Sequence, residues 1–273
     1  MRKSSKVGMA ILKKILDEQL ALHNRQGFIE KDPISIPHRF SRKQDIEIAG
    51  FFAAIFAWGN RTTIINKCSE LIKGMEESPY AFIVHHQEKD LKRFLAFKHR
   101  TFNATDLLHC IRLLRYHYTL GYKLLGGKEP SLESAFAQGI NKEDEDVREG
   151  LVAFHDYFFS LEDSPARTKK HISTPRNQSS CKRLNMYLRW MVRKDEAGVD
   201  FGIWKQIRTN QLVCPLDVHV QRVATEMGMI DAGKSDWKTA VELTQQLKML
   251  DPSDPVKYDI ALFGMGVDMS HIH

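Results

Sequence analysis

The sequence predicts an all-α protein, and two features of its 273 residues favour that fold class. Apolar residues recur at the three- and four-residue spacing of amphipathic helices in nearly every segment. Gly, Pro, Asn and Ser separate these segments, without the alternating pattern and tight turns that indicate β-hairpins. A hydrophobic content of 42% and a charged content of 27% are typical of a globular chain that buries a sizeable core.

The predicted helices have recognisable starts and stops. Eight of them span residues 6–22, 41–56, 62–74, 104–120, 131–139, 145–161, 179–193 and 217–228. Two more begin at the capping residues Ser235 and Asp254, the second with Pro255 in its first turn. In the first helix, the residues expected to face inward are Ile11, Leu12, Ile15, Leu16 and Leu20.

The second helix is expected at the centre of the molecule. Ser41 and Gln44 have the spacing of a capping box, and the helix they would open is apolar nearly all round. It ends at the polar break Trp58–Arg61. The later segment Phe97–Phe102 is basic with interleaved aromatic residues, and we expect a solvated loop anchored by its two Phe side chains.

The charge balance and the cysteines narrow the classes of protein to consider. A formal net charge of +6, with 12 His besides, permits a polyanionic partner. The four cysteines form no CxxC pair and are expected to be reduced, buried thiols of an intracellular protein. The basic N-terminus continues into a charged amphipathic helix rather than a signal peptide, and no apolar run reaches membrane-spanning length.

The most polar interruption of the helical pattern is the segment 163–180, which is rich in Lys, Arg and Pro and forms the best basic patch of the chain. It leads into the helix 179–193. On that helix, Lys182, Arg189 and Arg193 are separated by seven and four residues and therefore share one side. Taken alone, the pattern predicts a core helix with a solvated basic face.

The most specific stretch of the sequence is 212–228. Pro215 ends the preceding segment, Asp217 can accept the first free N–H groups of a helix, and Gly228 suits the left-handed position after its end. The pattern alone predicts an ordinary capped core helix. Its centre, Pro-Leu-Asp-Val-His-Val-Gln-Arg-Val, resembles the Pro-Val-Asp-Thr-His-Val-x-Arg-Val signature of the helix-hairpin-helix DNA glycosylases, the endonuclease III superfamily.

This resemblance implies roles for residues in three parts of the chain. Asp217 matches the catalytic Asp of the superfamily, and Lys182 is the candidate for the catalytic Lys of the members that are also lyases. The glycosylases have a loop that enters the DNA stack beside the damaged base. Trp58, Asn60 and Arg61 occupy its place here, although a helix–helix turn anchored by Trp58 explains them equally well. The other residues expected to contact DNA are Lys169, Lys170, Arg176, Ser179, Ser180 and Arg189.

The resemblance also implies a fold, the helix-hairpin-helix glycosylase fold, with two helical lobes and a cleft between them. Residues 1–40 and 195–273 would form the terminal lobe, and residues 41–194 the central lobe with the hairpin-like segment. Lys182 and Asp217 would then face each other across the cleft.

Three departures from the family pattern bear on the implied site. The hairpin segment 177–181 lacks the usual Gly-x-Gly turn, which in the family holds a phosphate. Thirty-five residues separate Lys182 from Asp217, more than in endonuclease III and closer to the archaeal 8-oxoguanine glycosylases. The four-Cys iron–sulfur motif is missing and His271 and His273 are too weak a pair to suggest a metal site, so no cofactor is expected.

The implied function is that of a cytoplasmic, nucleoid-associated DNA repair glycosylase and AP lyase acting on damaged duplex DNA. It would excise a damaged base, with an oxidised purine as the candidate, and would represent a bacterial branch of the superfamily without an assigned function. The alternative is a non-catalytic nucleic-acid-binding protein on the same fold, which the missing hairpin glycines favour. A third possibility is an interaction protein without a nucleic-acid role, in which the positive charge is incidental.

Overall fold

A computed structural model describes residues 6–270, and over this range the chain is built almost entirely of helices. The α-helices are α1 (Lys6–His23), α2 (Gln26–Ile29), α3 (Lys43–Phe56), α4 (Arg61–Gly74), α5 (Pro79–His85), α6 (Ala104–Tyr116), α7 (Tyr122–Leu124), α8 (Glu133–Ala137), α9 (Arg148–Phe158), α10 (Lys182–Val192), α11 (Val218–Glu226), α12 (Trp237–Leu250) and α13 (Tyr258–Ser270). The predicted all-α class is confirmed.

The shorter elements connect these helices. The 3-10 helices are Pro33–Ser35, Pro37–Arg39, Glu88–Phe94, Ala166–Lys170, Pro175–Asn177, Thr209–Gln211 and Pro255–Lys257, and a π-helical turn spans His117–Gly121. Strands β1 (Lys98–His99) and β2 (Phe102–Asn103) pair antiparallel, with Lys98 opposite Asn103. Over the described residues, no helix is both long enough and apolar enough to span a membrane.

Contacts within the chain group its residues into two compact units. Of the described residues, unit 1 contains 6–28, 144–147 and 175–270, and unit 2 contains 29–143 and 148–174. The predicted lobes divide the chain elsewhere, because residues 29–40 belong to unit 2 and residues 175–194 belong to unit 1. The helix that begins at Lys182 and the helix capped by Asp217 are therefore parts of the same unit.

Unit 2 is organised around α3, which is buried on all sides as its apolar sequence predicts. Every residue from Ile46 to Phe56 is buried. The carboxylate of Glu47 on this helix accepts hydrogen bonds from Tyr118 Oη at 2.8 Å, from Ser131 Oγ at 2.5 Å and from the backbone N–H of Leu132 at 3.0 Å. These donors compensate for the loss of water around a buried anion.

The sequence pattern is less successful at the ends and connections of unit 2. The predicted capping box of Ser41 and Gln44 is wrong, because the N-cap position falls on Arg42 and the Gln44 amide donates to the carbonyl of Pro130 instead. Helix α5, the 3-10 helix after it and the β1–β2 hairpin were not predicted, since each is too short to display a period. The anchoring of the segment 97–102 by two buried Phe side chains is confirmed.

Unit 1 is organised around α13, which packs against both α1 and α11. Two glycines make these close approaches possible. A Cβ atom at Gly264 would lie 2.3 Å from the ring of His23, and one at Gly266 would lie 2.8 Å from Cβ of His219. The closing helix, expected to be rich in small residues, thus brings its backbone next to the helix that Asp217 caps.

The predicted inward face of α1 is correct only in part. Leu16 is fully buried, whereas Ile11 and Ile15 are 56% and 37% exposed. The main element packed against α1 is α13, which covers only part of the apolar stripe.

Two predicted caps in unit 1 are replaced by other interactions. Asp236, not Ser235, caps α12, and its Oδ1 accepts a hydrogen bond from the Thr239 N–H at 2.9 Å. Asp254 makes no cap hydrogen bond, because its carboxylate accepts from Arg193 Nε at 2.8 Å. Pro255 opens a 3-10 turn that leads into α13.

All four cysteines are buried and none forms a disulfide, in agreement with the buried thiols expected from the sequence. Among the described residues, no group of three or more His, Cys, Asp or Glu side chains is arranged to hold a metal ion. His271 and His273, considered in the sequence, lie outside the described residues.

Candidate active site

Asp217 lies at the N-terminus of α11, and its two carboxylate oxygens have different neighbours. Oδ1 accepts hydrogen bonds from the backbone N–H groups of His219 and Val220, each at 2.9 Å, so the predicted N-cap is confirmed. Oδ2 lies 3.9 Å from Nζ of Lys182. One carboxylate therefore fixes the start of the helix and also presents a charged oxygen to a neighbouring amine.

The His and Arg of the Asp217 motif attach α11 to α13. His219 Nδ1 lies 3.2 Å from the carbonyl oxygen of Gly266, and Arg222 Nη2 donates to the same oxygen at 2.5 Å. The His219 ring also meets the ring of Phe263 edge-on, with 5.9 Å between the centroids. The motif thus encodes the carboxylate and the contacts that hold its helix in place.

Lys182 is the first residue of α10, and a tight turn leads the chain into this helix. In that turn Gln178 and Cys181 have φ angles of +58° and +50°, in the left-handed region that few non-glycine residues adopt. Ser179 Oγ accepts a hydrogen bond from the Cys181 N–H at 3.1 Å. The hairpin segment lacks glycine, but it nevertheless adopts the left-handed conformations that glycine usually provides.

Lys182 and Asp217 form a partly buried pair of opposite charge within unit 1. Their side chains are 28% and 15% exposed, so both remain accessible from solvent. At 3.9 Å the two groups attract each other at a distance longer than that of a hydrogen bond. Such a pair places a potential nucleophile next to an anion that can stabilise a developing positive charge.

Arg189 and Arg193 are buried, so the solvated basic face that their spacing predicts is wrong. The Arg189 side chain is 5% exposed and forms ion pairs with Asp259 and, at 3.3 Å, with Asp200. Arg193 pairs with carboxylates of the same buried cluster, those of Asp195, Asp200 and Asp254. These acids follow α10 in the chain and neutralise the two guanidinium groups inside unit 1. The predicted contact between Arg189 and a DNA phosphate is therefore not possible in this structure, because the guanidinium is buried.

Asp259, the second residue of α13, is a buried carboxyl that sequence reasoning missed. Its Oδ2 accepts a hydrogen bond from Arg189 Nη1, and its Oδ1 lies 3.9 Å from Sγ of Cys214. Burial raises the pKa of Asp259 to about 6, with the nearby Asp217 carboxylate adding to the rise and the charges of Arg189 and Lys182 opposing it. The available sequence signal was an acidic residue at the start of an otherwise apolar helix.

The predicted DNA-stack loop lies in unit 2, between α3 and α4. Asn60 caps α4 by accepting a hydrogen bond from the Thr63 N–H at 3.1 Å, and Arg61 is the first residue of that helix. Trp58 is half-buried, and its indole Nε1 has no hydrogen-bond partner among the residues that the structure describes. The turn is therefore anchored by Trp58, as the simpler interpretation predicts.

Arg100 is a neighbour of this loop that sequence reasoning did not single out. It lies in the turn between β1 and β2, and its guanidinium carbon is 4.7 Å from the centroid of the Trp58 ring. Gly59 allows this stacking, because a Cβ atom there would lie 2.5 Å from Arg100 Nη1. His99 Nε2, 3.0 Å from the carbonyl of Phe56, ties the hairpin to the end of α3. An aromatic ring and an exposed cation are thus held together at the surface of unit 2.

The basic segment 163–174 of unit 2 divides its cations between an internal and an external role. Arg167 donates to the buried Asp106 at 2.6 Å, and Thr168 Oγ1 donates to the same carboxylate at 2.7 Å. This anchor leaves Lys169 and Lys170 exposed on the 3-10 helix. These two lysines are accessible to an anion in solution.

The predicted contact residues at the start of unit 1 differ in exposure. Arg176 is exposed and Ser179 is half-buried, with its hydroxyl oxygen engaged by the Cys181 N–H. Ser180 is 8% exposed, and its carbonyl accepts a hydrogen bond from Asn185 Nδ2 at 2.9 Å. Ser180 therefore has a mainly structural position, and its predicted contact with DNA is not supported by its burial.

Comparison with known proteins adds a family to this geometry. Residues 32–268 match the family model described as Protein of unknown function (DUF2400). The chain belongs to the DUF2400 family. No curated protein and no solved structure matches it. In this DUF2400 chain, Lys182, Asp217 and Asp259 all lie within the matched range.

Proposed function

We propose that this DUF2400 chain is a DNA glycosylase with AP lyase activity, built on the helix-hairpin-helix glycosylase fold, that excises a damaged base. One observation carries the proposal: Lys182 Nζ lies 3.9 Å from Asp217 Oδ2, with each residue at the N-terminus of a helix. Asp217 was assigned from its motif and Lys182 from its position in an earlier helix. Their proximity supports both assignments.

Asp217 would act first, on the bond between the base and the sugar. Breaking the N-glycosidic bond develops positive charge on the deoxyribose, and the base leaves with the bonding electrons and takes up a proton. Asp217 Oδ2 can stabilise the sugar cation electrostatically, while the helix cap made by Oδ1 keeps the carboxylate oriented. The target base must leave the helical stack, at a cost of a few kcal/mol that damage or mispairing lowers.

Lys182 would act as the nucleophile. The Lys182 ammonium, paired with Asp217, first gives a proton to solvent. The neutral amine then forms a bond to C1′ and loses a second proton, and the ring oxygen leaves C1′ and takes up a proton, which gives an imine. Removal of a C2′ proton allows the bond from C3′ to the phosphate oxygen to break, and the phosphate leaves with the electron pair. The amine and the carboxylate act on the same sugar, which fits their separation of 3.9 Å.

The exposed cations would supply the attraction to DNA. Lys169 and Lys170 are exposed on the 3-10 helix of unit 2, and Arg176 is exposed in unit 1. The Trp58 ring offers a surface on which a base can stack. Arg100, whose guanidinium lies over that ring, offers a cation that can bind a phosphate. The preferred substrate is a duplex with a lesion, and an oxidised purine is the first lesion to test.

A non-catalytic nucleic-acid-binding protein on the same fold is the second candidate function. The hairpin before Lys182 favours it, because the segment 177–181 lacks the glycines that hold a phosphate in the glycosylases, and its left-handed residues are Gln178 and Cys181. Such a protein would keep the exposed cations and bind DNA without forming a covalent intermediate. The two functions therefore differ in whether an imine forms.

Borohydride trapping distinguishes the two functions. Borohydride reduces the imine to a stable amine and leaves the protein covalently attached to DNA. We expect trapping on duplexes that contain an abasic site or an oxidised purine, and we expect Lys182→Gln to abolish it. DNA affinity should change little in this variant, because Lys182 is one cation among many. The measurement is a gel shift of denatured adducts together with equilibrium binding.

The matched control is Lys238→Gln, which removes the charge of an exposed lysine on α12. This variant should trap as efficiently as the wild type. Equal trapping by the wild type and Lys182→Gln would assign the nucleophile to another amine. If the wild type binds DNA but traps on none of these substrates, a lyase is excluded. Base-release assays would then separate a glycosylase without lyase activity from a binding protein.

A further inference from the structure

Asp259 lies between the two elements that carry Lys182 and Asp217. Its Oδ2 accepts a hydrogen bond from Arg189 of α10, the helix that begins with Lys182. Its Oδ1 faces Sγ of Cys214, at 3.9 Å, three residues before Asp217. Asp259 is 5% exposed and Cys214 is fully buried, so both contacts are made away from solvent.

We propose that Asp259 is a positioning residue of the Lys182–Asp217 site, whose ionised carboxylate holds α10 and the segment before α11 in register. The inference rests on the proposed function, because it assigns a role in the same reaction. Seven residues, about two helical turns, separate Lys182 from Arg189. A carboxylate that holds Arg189 therefore controls the direction in which α10 presents Lys182.

The charged groups around Asp259 set the pH range over which this contact operates. Arg189 and Lys182 of α10 favour its carboxylate form, whereas Asp217 at the start of α11 disfavours it. Asp200 shares the Arg189 guanidinium, and Cys214 is a thiol because burial holds its pKa well above the usual value. On α1, Lys13 and Asp17 bond the adjacent Tyr258.

Lower pH should release the contact. Burial raises the pKa of Asp259 to about 6, so the carboxyl takes up a proton as the pH falls through that value. A neutral carboxyl loses the charge-assisted bond to Arg189, which is the stronger of its two contacts. The positioning effect should therefore be complete near pH 8 and largely lost near pH 5.

Asp259→Asn tests this role, because the amide has the shape of the carboxyl and no charge. The rate of imine trapping on an abasic-site duplex is measured for the wild type and the variant between pH 5 and 8, with cyanoborohydride as the reductant because it survives at pH 5. At pH 8 we expect the wild type to be faster by at least about tenfold, since a 1 Å displacement of reacting groups can cost roughly 10²-fold. The affinity for the duplex should be unchanged.

The positioning role is tested by the ratio of the wild-type trapping rate to the Asp259→Asn trapping rate at each pH. It should fall toward one between pH 8 and 5, because both side chains are neutral at the lower pH. A ratio that is constant with pH would mean that the carboxyl only fills space, and it would overturn the proposal. A ratio of one at every pH would overturn it as well.

Asp254→Asn is the matched control, since it makes the same change at a half-buried residue that pairs with Arg193, and Arg193 keeps its ion pairs with Asp195 and Asp200. Its trapping rate should stay close to that of the wild type at every pH. If Asp259→Asn does not fold, Arg189→Lys replaces it, because this variant keeps the charge of the cluster and loses the guanidinium geometry. The ratio of wild-type to Arg189→Lys rates should fall with decreasing pH in the same way, and a flat ratio would overturn the role of the pair.

Hydrogen exchange separates failure of this inference from failure of the proposed function. If the wild type traps no adduct, the lyase proposal fails, but amide exchange still reports on positioning. At pH 8, amides in residues 182–192 and 212–220 should exchange faster in Asp259→Asn than in the wild type, and this difference should shrink at pH 5. Equal exchange of the two proteins at pH 8 would overturn the positioning role.

Discussion

The carboxylate of Asp217 has two tasks that one substitution can separate. Its Oδ1 caps α11 and its Oδ2 faces Lys182. In Asp217→Asn a side-chain oxygen can still cap the helix, so the fold should hold while the negative charge is lost. We expect the rate of base release to fall on the order of 10² to 10³-fold, by analogy with the loss of oxyanion donors. Single-turnover base release and thermal unfolding measure the two effects.

Asp217→Ala is the comparison for this prediction, because it removes the cap and the charge together. It should lose activity to the same extent and, in addition, about 1 kcal/mol of stability. If Asp217→Asn releases base as fast as the wild type, then the carboxylate serves only as a cap. The catalytic assignment of Asp217 would then be wrong.

The residues of the site differ in how far sequence could reveal them. Asp217 could be predicted as an N-cap because its hydrogen-bond partners are two and three residues away. Arg189 was misassigned to the surface because its partners Asp200 and Asp259 lie 11 and 70 residues further along the chain, beyond the helix itself. The helical period of a sequence indicates which residues share a face of the helix. It does not indicate which later segment packs against that face.

At the scale of elements, the turn before α10 stores conformational strain that a glycine would remove. Gln178 is exposed and has a φ angle of +58°. A left-handed conformation costs a non-glycine residue roughly 1 to 2 kcal/mol, partly offset by the greater freedom of glycine in the unfolded chain. We therefore expect Gln178→Gly to stabilise the protein by up to about 1 kcal/mol. Urea unfolding at constant pH measures the change.

Gln245→Gly is the control, since it makes the same substitution at an exposed position within α12. There the glycine should destabilise by about 1 kcal/mol, because a helix interior gives it no advantage. A loss of stability in Gln178→Gly as large as that in Gln245→Gly would contradict the prediction. The side chain of Gln178 would then stabilise the turn by more than the left-handed φ angle of this residue costs.

Long elements with a strong period were predicted well, and short or one-sided ones were not. The apolar residues of α3 lie on every side of the helix, so its central position followed from the sequence alone. For α1 the stripe was wider than the surface that α13 covers, which left Ile11 and Ile15 exposed. The non-glycine turn at Gln178 and Cys181 could not be predicted, because left-handed φ angles are uncommon for residues other than glycine.

At the scale of the whole molecule, buried ion pairs determine which segments belong together. The predicted lobes separate α10 from the segment that follows it. In the structure, Arg189 and Arg193 bind acids from residues 195–259, and α10 is part of the same unit as α11 and α13. Lys182 and Asp217 therefore depend on the integrity of a single unit, and the geometry of their pair is fixed within it.

The net charge of +6 predicts how the whole molecule binds DNA. Each phosphate that a cation neutralises adds about −0.9 to the slope of log K against log salt concentration, so the wild type should give a steep line. Replacing the exposed Lys169, Lys170 and Arg176 by Gln should make the slope shallower by roughly 2 to 3 if all three contact phosphates.

The control variant replaces three other exposed lysines by Gln, namely Lys123, Lys128 and Lys238. It makes the same change in net charge and should leave the slope nearly unchanged, because charges that touch no phosphate release no counterions. Equal slopes for the two triple variants would mean that overall charge, rather than this segment, attracts the DNA. A flat line for the wild type would contradict nucleic-acid binding altogether and favour an interaction protein whose positive charge is incidental.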